Sequence, residues 1–421
     1  MKLKKLLIPF YFILSTLYLF SCGPNEPGDP PELVPIPGYQ HDIPWPSLAD
    51  SPWPMEHGNP QSTGRSKYPG PDIGEIEFQL KGVNITSGIS IGADSTIYFL
   101  SNYPNNGLYA VSPTGKIKWI NREIVNNQDM VATPIISSTG TIYITGGESN
   151  NLYAINSSGT VKWIYNANNS IYFRGISIGI DGTIYFVDRT QFLYAINDYG
   201  ELKWKIYNEN FGYGFTSGIV FSTDGSTLYV TGRNPTLFAI DIMSHEITWS
   251  FGNFYGNSLP IINSQNLIYI HSIVDSINGG TASLFCLNPN GSIKWSYPHG
   301  NKHFFEPNSY YEGTIDNYGN YYFTFDSLYS IDYDGMLRWK TNLKGYHQSP
   351  LVCDKNNNIY LSIEDENRIS IDRYVSIDFM GNIRWILNSP PDLENGFSPA
   401  IGFNNDIYFP PYKSNSLIKI K

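Results

Sequence analysis

The sequence predicts an all-β chain folded as an eight-bladed β-propeller of four-stranded antiparallel blades, closed by joining an N-terminal strand to the C-terminal blade. Three observations predict it. Tryptophans recur at Trp119, Trp163, Trp204, Trp249, Trp295, Trp339 and Trp385, 41 to 46 residues apart, a period typical of propeller blades. Between them, strand-sized runs rich in Ile, Val and Tyr alternate with Gly, Asn and Ser turns, as in GTIYITGGESNNLYAINSSGTVKWIY from Gly140. The first and last units, finally, are incomplete in complementary ways.

In chain order, residues 1–21 read as a targeting segment. Lys2, Lys4 and Lys5 precede an apolar run from Leu6 to Phe20, too short for the roughly 20 residues of a membrane span. Leu19-Phe20-Ser21-Cys22 follows and resembles the lipobox of bacterial lipoproteins, which implies lipidation at Cys22. An acyl anchor holds a protein on a membrane without crossing it. Residues 22–52 begin with Cys22 and the proline-rich, acidic GPNEPGDPPELVPIPG; such a composition predicts an extended tether. Residues 53–421 are the expected ring.

Removing three of the 27 Lys and Arg residues and none of the 37 acids leaves 24 against 37, a formal charge of −13. A surface this acidic excludes nucleic acid as a partner class and limits membrane contact to the lipid anchor. Apart from Cys22, only Cys286 and Cys353 remain, each in an apolar strand-like run, which reads as two buried unpaired thiols rather than a disulfide framework.

Each unit holds four strand-sized runs. In the copy opening at Pro134 they are Pro134–Ile136, Thr141–Ile144, Leu152–Ile155 and Val161–Ile164. First and second runs are joined by tight turns such as SSTG and TDG, third and fourth by NSSG or DYG. No sustained 3.6-residue pattern occurs beyond the targeting segment, so helix should be scarce.

The last unit, Pro399–Ile401, Asp406–Phe409 and Leu417–Ile420, has three runs and no Lys-Trp run. The missing fourth appears at Gly74-Glu75-Ile76-Glu77-Phe78, matching Gly115-Lys116-Ile117-Lys118-Trp119 with Phe78 in the tryptophan place. Eight three-run blocks and eight fourth runs then balance, and a ring needs no caps.

The unit resembles the repeat of PQQ-like (quinoprotein-type) β-propellers, which ends in an Ala, a turn Gly and a Trp. Here these are Ala110, Gly115, Trp119; Ala154, Gly159, Trp163; and Ala195, Gly200, Trp204. His245 stands where one such glycine is expected. The segment from Trp53 through His57-Gly58-Asn59-Pro60-Gln61-Ser62-Thr63-Gly64 resembles that family's lead-in. The resemblance implies that Phe78 and the seven tryptophans dock neighbouring blades. Strict alternation would put Ile117 with Trp119 on one strand face and Lys118, Lys162, Lys203, Lys294, Arg338 and Arg384 on the other, as guards of the outer edge.

Tight turns join runs one to two and three to four; the remaining connections are longer and variable, and emerge together on the opposite face. Loops there carry Tyr165, Tyr172 and Arg174; Phe211 and Tyr213; Phe254 and Tyr255; His303, Phe304, Phe305, Glu306, Tyr310 and Tyr311; Tyr346 and His347; and Phe397. Aromatic rings among amides suit peptides or glycans, though the same rings can instead cover the blade tops. His299-x₃-His303-x₂-Glu306 lacks a second motif to complete a metal shell, and Asp354-x-Asn356-x-Asn358 lacks the Gly and Glu of a calcium loop.

The resemblance implies two functional classes. A quinone (PQQ)-dependent dehydrogenase of this family holds its cofactor over a tryptophan, against bridged adjacent cysteines, with calcium nearby; this sequence has no adjacent cysteines, so neither PQQ nor calcium is expected. A propeller lipoprotein of the outer-membrane protein assembly machinery instead grips a partner through loops on one face. The expectation is therefore a non-catalytic lipoprotein of the bacterial cell envelope, on the outer membrane facing periplasm or cell surface, binding an envelope protein or a glycan as a monomeric ring or a subunit of a complex.

Overall fold

Ile and Tyr runs three to seven residues long, flanked by turn residues, form the second and third strands of the blades, which are buried on both sides, while the fourth strands stay partly exposed. The computed structural model describes residues 37–124, 132–145, 150–211, 218–232, 236–252, 259–274, 281–301, 312–347, 349–365, 373–390, 397–411 and 416–421. Residues 37–421 form one compact unit, an eight-bladed propeller with almost no helix among the described residues. Cys22 and the targeting segment lie outside the described residues. No helix among the described residues is long and apolar enough to cross a membrane.

Blade 2 shows the plan: strands Ile135–Ile136, Ile142–Thr145, Asn151–Ile155 and Val161–Asn166 pair in that order, all antiparallel. Blades 1 and 3 to 7 span 84–121, 171–207, 219–251, 261–301, 314–341 and 345–388. In blades 1 and 7 the first strand is broken in two, at Asn84–Ile85 with Ser90–Ile91 and at Gly345–His347 with Val352–Cys353. Blade 8 combines Ala400–Ile401, Ile407–Phe409 and Ser416–Ile420 with Ile76–Lys81. Phe78 pairs with Lys419 there, which is the expected closure. First strands of neighbouring blades pack together at the centre, and the core lies between blades: Tyr98, Leu108 and Ala110 of blade 1 share a cluster with Ile142, Ile144 and Ile155 of blade 2.

The tryptophans dock as the resemblance implies. Each lies beside a second-strand tyrosine of its own blade, from Tyr98–Trp119 to Tyr360–Trp385, at 5.6–5.9 Å between ring centroids. Most also reach the next blade, where the indole N–H of Trp119, Trp163, Trp249, Trp295 and Trp339 donates to a turn carbonyl at 2.9–3.1 Å. The indole faces of these five cover the turn glycine of that next blade, such as Gly200 beneath Trp163. His245 takes the glycine's place in blade 4 with φ 61°, and its ring lies 4.5 Å from that of Trp204.

Gly200 has φ +87°, and a Cβ there would sit 2.8 Å from the Trp163 ring. Gly200→Ala combines a left-handed backbone with an overlap, so a loss of about 2–3 kcal/mol is expected in denaturant unfolding. His245→Gly, which relieves one cost and removes a ring contact, should change stability by less than about 1 kcal/mol. Equal effects from the two would sink this account of docking.

Strict alternation does not hold on the fourth strands. In blade 1, Trp119 pairs with Ala110 but Ile117 pairs with Val111, leaving Lys118 as an extra residue. The same shift recurs in blades 2 to 7. This bulge moves Ile117 to the face opposite Trp119. Lys118 stays exposed and reaches across its own blade: its ammonium donates to Asp94 at 2.9 Å and Thr96 at 2.6 Å in the blade's first turn. Lys203 does the same with Asp181 and Thr183. Arg338 and Arg384 reach tyrosine hydroxyls of their own blades.

Residues 37–52, grouped with the tether on composition, pack onto the ring. The Trp45 indole donates to the Ile178 carbonyl at 3.0 Å and Ser47 Oγ to that of Gly179 at 2.6 Å. Beyond them, the chain crosses the centre of the ring. Carbonyls of Trp53, Pro54, Pro60, Gln61, Thr63 and Gly64 accept from the amides of Ile91, Ile136, Phe221, Ile262, Ile315 and Cys353, at 2.7–3.2 Å. These belong to the first strands of blades 1, 2, 4, 5, 6 and 7. An inner strand has one unpaired edge, and a buried edge needs partners; the lead-in segment supplies them.

Candidate functional site

Every first strand ends in the tight turn toward which the lead-in segment lies, so that segment occupies the tight-turn end of the centre. The turns of several blades also hold the residues on either side of it: Gln40 bonds to Asn317 and Gln265, Ser138 to Ser47, and Lys355 to Tyr68. The long connections emerge at the other end.

Inside the ring, the lead-in carries a short 3-10 turn, Glu56–Gly58. His57 adopts φ 51° there and is fully buried. Its Nδ1 lies 3.3 Å from the Ser62 carbonyl, and its Nε2 faces Glu312 Oε2 at 3.3 Å. Glu312, at the start of blade 6, is 3% exposed. Half-buried Glu56 accepts a hydrogen bond from Thr133 Oγ1 of blade 2. Ligand atoms of Glu56, His57 and Glu312 lie within 4.8 Å of one another.

This cluster is absent from the site residues expected on sequence, although a signal existed. The residue before the Gly or Pro that opens each blade is Ser87, Thr133, Arg174, Ser217, Leu259, Glu312, Ser349 or Ser398. An acid at a place held mostly by small hydroxyls is a break in the repeat. Only the fold brings it to His57, 255 positions earlier in the chain.

Of the aromatic set expected on the variable connections, Tyr165 falls within strand Val161–Asn166, half-buried and edge-on to Phe186 and Tyr194 at 6.1 Å each. Burial and the nearby Asp188 raise its pKa. Phe211 is wholly buried, 5.2 Å from the Phe238 ring, and Phe397 is buried too, so these two rings pack beneath the surface. Tyr172 and Arg174 fall within strand Ile171–Ile178, and Tyr346 and His347 within Gly345–His347, where loops were expected. Tyr213, Phe254, Tyr255, His303, Phe304, Phe305, Glu306, Tyr310 and Tyr311 lie outside the described residues.

His299 is buried against His271, Nε2 to Nδ1, at 3.1 Å. Burial holds the pKa of His299 down to about 4, with Asp326 opposing, and that of His271 well below its usual value. Both are neutral near pH 7. Asp354 is a turn residue whose carboxylate accepts from the Asn356 and Asn358 amides and the Tyr360 hydroxyl. Cys286 and Cys353 are buried free thiols on blades 5 and 7.

No family model and no curated protein matches the sequence. Solved structures do match in fold. BamB from Moraxella catarrhalis superposes with a TM-score of 0.62 at 13% identity, over 83% of this chain and 100% of its own. Quinohemoprotein alcohol dehydrogenase from Comamonas testosteroni gives 0.62 at 10%, covering 87% and 80%, and the Dos1 propeller 0.63 at 11%, covering 84% and 96%. The ring therefore has the PQQ-like, BamB-like propeller fold.

Proposed function

We propose that this chain is a non-catalytic lipoprotein scaffold of the bacterial envelope, anchored through Cys22, that binds a protein partner with the face bearing its long connections. One observation carries the reading: the lead-in segment already covers the tight-turn end of the ring's centre, which leaves the variable connections as the available end. Function on such a frame resides in loops, and the frame is the propeller fold shared with BamB.

A quinone enzyme is less well supported by the residues present. Its cradle needs vicinal cysteines, whereas Cys286 and Cys353 lie on different blades, and the docking tryptophans are engaged between blades. The cofactor carries the chemistry in that class, so activity would require its cradle.

Site-specific photo-crosslinking in intact envelopes tests the proposal. A crosslinker at Tyr172, Tyr255 or Phe304 is expected to capture a protein, while one at exposed Tyr199, in a third-to-fourth turn, captures none. Capture from Tyr199 alone overturns the assignment of the face. A positive glycan array without protein capture would replace the scaffold by a lectin.

A further inference from the structure

We infer that Glu56, His57 and Glu312 form a binding site for one divalent transition-metal ion, zinc by its donor set, inside the ring. Three features of the cluster point there. First, its geometry: Nε2 of His57 and Oε2 of Glu312 are 3.3 Å apart. Two ligands on zinc at about 2.0–2.1 Å in a tetrahedron are separated by roughly 3.3–3.4 Å.

Second, the imidazole is set as a ligand. With Nδ1 turned to the Ser62 carbonyl at 3.3 Å, Nε2 points at the cluster, the outer-shell arrangement usual for a metal-bound histidine. Third, room is kept for Glu56. A Cβ on Gly88 would fall 2.6 Å from Glu56 Oε2, and Thr133 orients that carboxylate from the neighbouring blade.

The donor set selects the ion. Two carboxylates and a neutral imidazole balance a divalent charge, and nitrogen with oxygen donors favours zinc over the all-oxygen shells of calcium and magnesium. A fourth ligand would come from solvent on the half-exposed Glu56 side. Because the three residues come from the lead-in segment and blade 6, the ion would also pin that segment into the ring. The inference is independent of the scaffold reading: either can fail alone.

The test uses the untagged chain, stripped with chelator and reloaded with zinc chloride. Elemental analysis is expected to give one zinc per chain, with a raised thermal midpoint. Glu56→Gln should weaken zinc at least ~10-fold, since losing an outer-shell partner alone costs about 10–100-fold. Its half-exposed position lets the variant fold, which circular dichroism checks. Cobalt-loaded wild type should show visible absorption that His57→Asn abolishes. Substoichiometric zinc in the reloaded wild type, unchanged affinity in Glu56→Gln, or a midpoint raised by calcium and not by zinc would each overturn the site.

Discussion

Replacing Trp53 by alanine is expected to cost about 3–5 kcal/mol, the range for a large aromatic removed from a packed interior. Trp53 is 1% exposed and belongs to the cluster joining blades 1, 7 and 8 around Ile85, Ile91 and Ile401. Its backbone pairs with Ile91, and its ring packs on Gly58 beside the buried His57. Loss of the ring therefore loosens the whole lead-in segment. Six first-strand amides depend on that segment for acceptors. Hydrogen exchange at Ile91, Ile136, Phe221, Ile262, Ile315 and Cys353 should quicken together, ahead of exchange in middle strands. A Trp53→Ala protein with unchanged midpoint and unchanged exchange at those amides would show that the segment merely rests in the centre.

The closure should be as sensitive. Lys419 is buried and donates to Asp406 at 2.9 Å, to Glu77 at 2.8 Å and to the Pro113 carbonyl at 3.2 Å. It thus ties the C-terminal strand to the N-terminal strand and to blade 1. Lys419→Met leaves the buried Asp406 carboxylate without its cation, and about 3–5 kcal/mol is expected to be lost. Adding Asp406→Asn should recover much of it, because removing both charges costs far less than removing one. A double variant no better than the single one would refute the ion-pair account.

The pH dependence follows from the same lysine. Burial opposes its charge, but hydrogen bonds to Glu77 and Asp406 outweigh burial and raise its pKa. A lysine pKa raised in the folded chain contributes stability that is complete below the unfolded value, about 10.4, and is lost as pH rises through the folded value. The closure contribution should therefore persist through neutral pH and fade only in strong alkali, as unfolding monitored against pH would show.

The ring was legible because its information is local and repeated. Phe78, the seven tryptophans and the three-strand C-terminal unit set blade number and closure register in the sequence alone. The bulge was less visible: Lys118 and Lys203 look like alternating edge charges until pairing shows two residues opposing one. Nor does composition reveal that residues 37–52 pack on the ring, since prolines and acids suit a tether as well as a covering strand.

What the sequence by itself determined is the periodic part: four strands per unit, a docking aromatic in each, and an ending that only the N-terminal strand completes. Such contacts join nearest neighbours, so each copy restates them. Tertiary structure alone decided what happens at the centre. There one short segment meets six blades, a few residues at a time, and His57 meets Glu312 across most of the chain. Those contacts have no period, and they join residues far apart in the chain.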